Sequence, residues 1–232
     1  MMRKHTNVRV LCLTLVGALV GAVACAPGAR PLPGAPTAAV LPPTRLAPRP
    51  AQWKFTWAYK DETFEATGDG VLRIQPPDRA RMDFFLKNGM SGGYAILIGD
   101  SLSVPGPDLV KRFLPPEPLM WASVGQLSLP PTTDTIARAD GDTLRVDMGT
   151  LRGGDASKAA GRAWRLAFAG PTLARVERIE DGKLAEWLTR RRGATGQWDV
   201  LYVNEGGKRR LSINVTDTTV VEGFDDAIWR RP

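Results

Sequence analysis

From Gln52 onward, apolar residues return at every second position in short runs, and turn-forming residues separate the runs. Val71-Leu72-Arg73-Ile74, Met82-Asp83-Phe84-Phe85-Leu86 and Tyr94-Ala95-Ile96-Leu97-Ile98 are three of them. Leu144 to Met148, Trp164 to Phe168, Trp198 to Val203 and Leu211 to Val215 repeat the pattern. Period two is the spacing at which a strand returns a side chain to the same face. Between the runs stand Gly99-Asp100, Asp140-Gly141, Asp181-Gly182 and Gly206-Gly207, residue types that tolerate the positive φ of tight turns. Parallel strands would need crossovers of a dozen or more residues, so these short turns predict an antiparallel meander. A sheet of about ten strands does not stay flat. The pattern therefore predicts a mainly β fold: a curled antiparallel half-barrel with an apolar concave face.

One segment, near 107–129, breaks the rhythm. Leu109, Val110, Phe113 and Leu114, then Leu119, Met120, Val124 and Leu127, recur at helical spacing. Pro115, Pro116 and Pro118 cut the segment into two short helices. A curled sheet with a greasy inner face needs a filler, and either this insert or a lipid can serve. The expected cavity wall is Leu72, Ile74, Met82, Phe84, Ile96, Ile98, Leu166 and Phe168. The expected plug is Phe113, Leu119, Met120 and Trp121.

The N-terminus reads differently. Arg3 and Lys4 precede an apolar core from Val10 to Ala24, interrupted upstream only by Arg9, and small residues lead into Cys25. That layout makes residues 1–24 a secretory leader. Its 15 apolar-core residues fall short of the roughly 20 that span a bilayer. Ala22-Val23-Ala24-Cys25 resembles a bacterial lipobox, with Ala22 where leucine is usual. The bland alternative is an ordinary cleavage site beside a cysteine. The lipobox resemblance implies that Cys25 carries acyl chains such as palmitate, and several chains anchor firmly where one is marginal. Ala26 follows the cysteine, where aspartate would signal inner-membrane retention, so the expected site is the outer membrane facing the periplasm. Residues 25–50 then contain eight prolines and predict a disordered, semi-rigid tether of up to about 75 Å, leaving 51–232 as the folded domain.

The same segment removes whole classes of chemistry. The chain has two cysteines, Cys12 and Cys25, and one histidine, His5. If cleavage falls before Cys25, no histidine and one cysteine remain, so no internal disulfide, Ser–His–Asp triad or histidine-ligated metal is expected. No cofactor is expected, and the chain does not read as an enzyme. The formal charge falls from +7 to +4, which suits contact with anionic surfaces. Arg190-Arg191-Arg192, Lys208-Arg209-Arg210 and Arg230-Arg231 lie at expected turns or at the end of the sequence. They lack the interleaved aromatics of a nucleic-acid groove, so nucleic acid is not an expected partner. Most of the seven tryptophans read as core, with Trp121 on the plug as the exception.

The run from Gly70 to Phe85, strand, proline-marked turn, strand, resembles the opening of the LolA/LolB superfamily of lipoprotein carriers. Tyr94 to Val104 is similar to that family's next hairpin, and the helical insert falls where the family places its plug. The likeness is motif-level from Gly68 to about Pro130 and only architectural after Thr132. It implies an envelope lipoprotein that holds lipid acyl chains or lipid-modified proteins, received from a periplasmic carrier protein. In LolB-like members a loop carries an apolar residue toward the membrane. Met90, in Lys87 to Gly93, stands in that place, and the other reading is a Gly-rich hairpin whose methionine packs sideways. The long proline tether and the basic last hairpin depart from the family. They leave open a structural or sensory lipoprotein that binds protein partners.

Overall fold

The computed structural model describes residues 31–38, 40–46, 48–87, 91–106, 108–129, 134–149 and 162–230. The expected leader, residues 1–24, and Cys25 and Met90 lie outside the described residues. Among the described residues, thirteen strands form one sheet. They are β1 (Ala35–Thr37), β2 (Ala51–Lys60), β3 (Glu65–Gln75), β4 (Arg79–Leu86), β5 (Ser91–Ile98), β6 (Ser101–Ser103), β7 (Thr135–Asp140), β8 (Thr143–Met148), β9 (Arg162–Ala169), β10 (Thr172–Glu180), β11 (Lys183–Arg192), β12 (Trp198–Asn204) and β13 (Arg209–Val220). Their order is β1-β7-β8-β9-β10-β11-β12-β13-β2-β3-β4-β5-β6, and every pairing is antiparallel. The edges β1 and β6 do not meet, so the sheet is an open half-barrel. Two links leave the meander: β1 to β2, and β6 to β7, which carries α1 (Asp108–Phe113) and α2 (Glu117–Val124).

The alternation is clearest on β2. Trp53, Phe55, Trp57 and Tyr59 are buried while Lys54, Thr56, Ala58 and Lys60 face water. Trp53 and Phe55 stand opposite Leu72 and Gly70 on β3, and these stand opposite Met82 and Phe84 on β4. Leu166 and Phe168 on β9, Val176 on β10, Leu188 on β11 and Val200 on β12 continue the same core across the sheet.

Two expectations need correction. Ile96 and Ile98 do not belong to the concave wall. In register they stand opposite Arg81 and Arg79, whereas the inward Met82 and Ala80 face Ala95 and Leu97. A strand shows alternate residues to opposite faces, so the register assigns the isoleucines to the convex side. There a short 3-10 helix, Asp226–Trp229, packs on β4. Arg81 Nη1 donates to the Ile228 carbonyl at 2.8 Å, and Arg79 reaches Asp226 at 3.0 Å. β5 is thus apolar on both sides, and alternation could not say which side was which.

The second correction concerns the tether. Ala35, Pro36 and Thr37 pair with Ala139, Arg138 and Ala137 on β7 instead of running free. Proline has no N–H to donate, but an edge strand leaves one side of its backbone unpaired and so accepts it. Leu32 and Leu46 are each only 7% exposed, and Thr44 Oγ1 accepts from the Leu127 N–H at 3.1 Å.

Candidate functional site

The concave face is built around an aromatic cluster. Phe113, the last residue of α1, stacks on Trp57 at 5.2 Å between ring centres. It meets Phe84 edge-on at 5.2 Å and Tyr59 at 5.3 Å. Phe55 and Trp57 in turn meet Phe84 edge-on at 5.7 and 5.8 Å. α2 sits in the same hollow. Its residues Leu119, Met120, Trp121, Ala122, Ser123 and Val124 are all buried, so no face of this part of the helix meets water. A helix that is apolar all round is stable only when surrounded. Gly125 ends it in the left-handed region, φ 90°, where glycine has no Cβ penalty.

Few polar groups hold the helices down. Trp121 Nε1 donates to the Gly99 carbonyl in the β5–β6 turn at 2.8 Å. Arg112 Nε donates to Asp61 Oδ2 at 2.7 Å, and Arg112 also reaches the Thr63 hydroxyl. Asp61 is the hub of this rim. It accepts from the Tyr59 hydroxyl at 2.7 Å and from the Thr63 and Phe64 N–H groups at 2.8 Å. The Tyr59 hydroxyl, helped by the Thr63 amide and the Arg112 guanidinium, holds the Asp61 carboxyl well below the usual carboxylate range. A depressed carboxyl contributes its stability above its unfolded value, near 3.9, and loses it as pH falls toward the folded value. Asp61→Asn is therefore expected to lower the melting temperature at pH 7. The gap from wild type should close on acidification below about pH 4. Thermal unfolding at pH 7 and pH 3 checks both points, and a gap that does not narrow at pH 3 would contradict the assignment.

The opposite wall is more polar. Arg178 and Glu186 face each other across β10 and β11, on the same side as the inward pair Val176 and Leu188. Arg178 Nη2 donates to Glu186 Oε1 at 2.7 Å and also reaches Glu180. Asn204 Nδ2 donates to Glu186 at 3.0 Å. Burial and the nearby Glu186 carboxylate push the Tyr202 phenol up, so it stays neutral. Further along β11, Arg190 lies over the Trp198 ring at 3.2 Å, and Arg192 lies over it at 3.9 Å.

Of the twelve expected wall and plug residues, ten lie in the concave core: Leu72, Ile74, Met82, Phe84, Leu166, Phe168, Phe113, Leu119, Met120 and Trp121. The four plug residues are 0–1% exposed, so the hollow is filled. The described surface includes two grooves of note. One of about 590 Å³ is bordered by Arg175, Trp187, Arg191, Leu201 and Arg210 among others. One of about 430 Å³ is bordered by Leu32, Pro33, Arg145, Arg165, Leu166 and Arg175 among others. Among the described residues, no cluster of three or more His, Cys, Asp or Glu is placed to hold a metal ion, and no helix is long and apolar enough to cross a membrane. The rim hub Asp61–Arg112 and the inward Arg190 were not read from the sequence. Strand alternation was the available signal for Arg190, because it separates Arg190 from Arg191 by face.

An open antiparallel sheet wrapped round a helix pair defines a LolA/LolB-like half-barrel. The crystal structure of a LolA superfamily protein from Nitrosomonas europaea shares this fold with a TM-score of 0.51 and 10% identity, covering 81% of this chain and 93% of that one. A putative outer membrane lipoprotein-sorting protein domain from Vibrio parahaemolyticus aligns at TM-score 0.42 and 12% identity over 78% of this chain and 89% of that one. A DUF1329 family protein from Desulfovibrio piger aligns at 0.41 and 7%, over 78% and 90%. No protein-family model and no curated protein matches the chain. At these identities the likeness is one of fold, and it rests on the first of the three.

Proposed function

We propose that this chain is a non-enzymatic envelope lipoprotein, anchored through Cys25 to the outer membrane and facing the periplasm. It accepts lipid acyl chains or lipid-modified proteins from a periplasmic carrier into the hollow now filled by α1 and α2. The observation that carries this reading is the way the plug is held. Its buried contacts are mostly with aromatic and aliphatic side chains, and its polar links to the sheet sit at the rim, at Gly99, Asp61 and Arg209, with Arg190 against the end of α2. An alkyl chain can replace such contacts without leaving a polar group unpaired. At about 0.8 kcal/mol per buried methylene, a palmitoyl chain offers on the order of 10 kcal/mol of burial to offset displacement of the helices. Met90 would face the membrane in this reading.

The docking of the proline-rich segment changes how an anchored domain would sit. Five residues, 26–30, separate Cys25 from the first described residue, Pro31. At 3.3–3.6 Å per residue they reach about 20 Å, so the domain would lie against the bilayer and not about 75 Å away.

Mass spectrometry of protein purified gently from native membranes is expected to show co-purifying lipid. Radiolabelled palmitate is expected to label wild type, and not Cys25→Ser, which should leave the membrane fraction. Label persisting in the serine variant would sink the anchor assignment. The second reading, a structural or sensory lipoprotein that binds protein partners, draws on the full burial of the plug residues. Absence of lipid from the native preparation would favour it.

A further inference from the structure

Arg190 is a buried cation without an anionic partner. It is 8% exposed, and among the described residues its guanidinium makes no ion pair, while its Nε has no hydrogen-bond acceptor. Other arginines of the sheet and of α1 are treated differently. Arg178 is paired with Glu186, Arg165 with Asp147, Arg81 with Asp83 and Arg112 with Asp61. Arg190 instead rests on the flat face of Trp198, shared with a second cation, Arg192. Its other side meets the end of α2. A methyl group placed on Gly125 would lie 2.9 Å from Arg190 Nη1.

Removing a charge from water is costly unless a counter-charge repays it, and a ring face or a helix C-terminus repays only part. Burial, with Arg192 nearby, lowers the Arg190 pKa to about 9, still high enough to keep it charged at neutral pH. The 590 Å³ groove, bordered by Arg175, Arg191, Leu201 and Arg210, opens on the other face of the sheet, so the Arg190 side chain is turned away from it. Among the described residues no carboxylate pairs with Arg190, and Arg192 adds a second positive charge at the same ring.

We propose that Arg190, with Arg192 and Trp198, receives the oxyanion of a lipid, so that the ligand is an anionic amphiphile and not the uncharged acyl-cysteine of a lipoprotein. A guanidinium presents paired N–H donors that match a carboxylate or a phosphate in two-point contact. The carboxylate of a fatty acid and the phosphate of a phospholipid both supply that chemistry. This inference rests on the reading of the hollow as an acyl-chain site, because the alkyl part would lie against α2, whose end Arg190 touches.

The test compares matched probes on the purified, delipidated full chain. Palmitate is set against hexadecanol, and dipalmitoyl phosphatidic acid against dipalmitoylglycerol, with binding followed by tryptophan fluorescence. Wild type is expected to prefer at least one anion over its neutral partner by about 10- to 100-fold, the range of hydrogen bonds to a charged group. The pair that shows the preference identifies carboxylate or phosphate. Arg190→Gln is expected to abolish the preference without lowering the melting temperature of the lipid-free protein, since it removes an unpaired buried charge. Arg190→Lys should keep part of it. Arg192→Gln, at an exposed position, should weaken it about threefold. Equal binding of anion and neutral partner by wild type overturns this inference and leaves the acyl-chain reading standing. Binding of no probe overturns both. A preference that survives Arg190→Gln, with or without a drop in melting temperature, assigns Arg190 a packing role and overturns the proposal.

Discussion

Gly68→Ala is expected to destabilise the fold by about 3 kcal/mol or more, although it adds a single methyl group. That methyl would lie 1.8 Å from the Phe85 carbonyl oxygen on β4 and 2.9 Å from Trp57 Nε1 on β2. Neither neighbour can yield cheaply. The Phe85 carbonyl is backbone inside the β3–β4 ladder, next to the register pair Asp69 and Phe85. Trp57 is 2% exposed, stacked against Phe113, and its indole N–H is committed to the Asp69 carbonyl at 3.0 Å. Overpacking of a core costs about 1–3 kcal/mol when side chains absorb it, and more when strands must part. For a chain of this size that is a fall in melting temperature of about 6–12 °C. The control is Gly141→Ala in the β7–β8 turn, where a methyl would meet nothing within 4 Å and φ is +56°. There only backbone strain acts, about 1–2 kcal/mol. Equal losses at the two sites, read from urea midpoints at unchanged slope, would mean that the close approach at Gly68 is not what excludes a side chain there.

The legible parts of the fold were those where one face is greasy and the other wet. β3, β4, β9, β12 and β13 show that contrast in their burial, and their runs stood out. β10 and β11 did not, for two physical reasons. Their inward positions include Arg178, Glu186 and Arg190, so the face that should read as apolar reads as charged. Register irregularities beside Leu173 and Arg178 then shift the phase of the alternation. β5 failed in the opposite sense: both faces are covered, so Ile96 and Ile98 looked like cavity wall while Ala95 and Leu97 point inward. The proline-rich segment misled because prolines exclude helix and central strand but not a three-residue edge strand. The plug was readable because three prolines within four residues leave no other way to break a helical apolar pattern. For the site, the apolar members were visible by spacing. The charged ones were not, because Arg190-Arg191-Arg192 has the composition of a solvated turn and only its position on a strand separates the buried arginine from its neighbours.

Phe113→Ala should produce the largest single loss, about 3–5 kcal/mol, the range for removing a buried aromatic ring. Phe113 is 0% exposed and is the one plug ring in contact with Trp57, Tyr59 and Phe84 together. α1 has six residues, far too few to hold a helix by itself, so its place depends on this ring and on the Arg112–Asp61 pair at the rim. Without the ring α1 should leave the hollow, and Trp57 and Tyr59 should gain exposure that tryptophan emission reports. The same variant separates fold from function. If the hollow accepts an alkyl chain, a saturating lipid fills the vacancy and restores stability by mass action, about 2.7 kcal/mol at a hundred times the dissociation constant. Recovery should be greater in Phe113→Ala than in wild type, because the ligand no longer competes with the ring. A loss under about 1 kcal/mol would show that Phe113 is not the hook of the plug, since an undocked ring has little to lose. A full loss with no recovery on adding lipid would leave the half-barrel intact as an account of the fold. It would also assign the hollow to the protein's own helices, the arrangement that a structural or sensory lipoprotein requires.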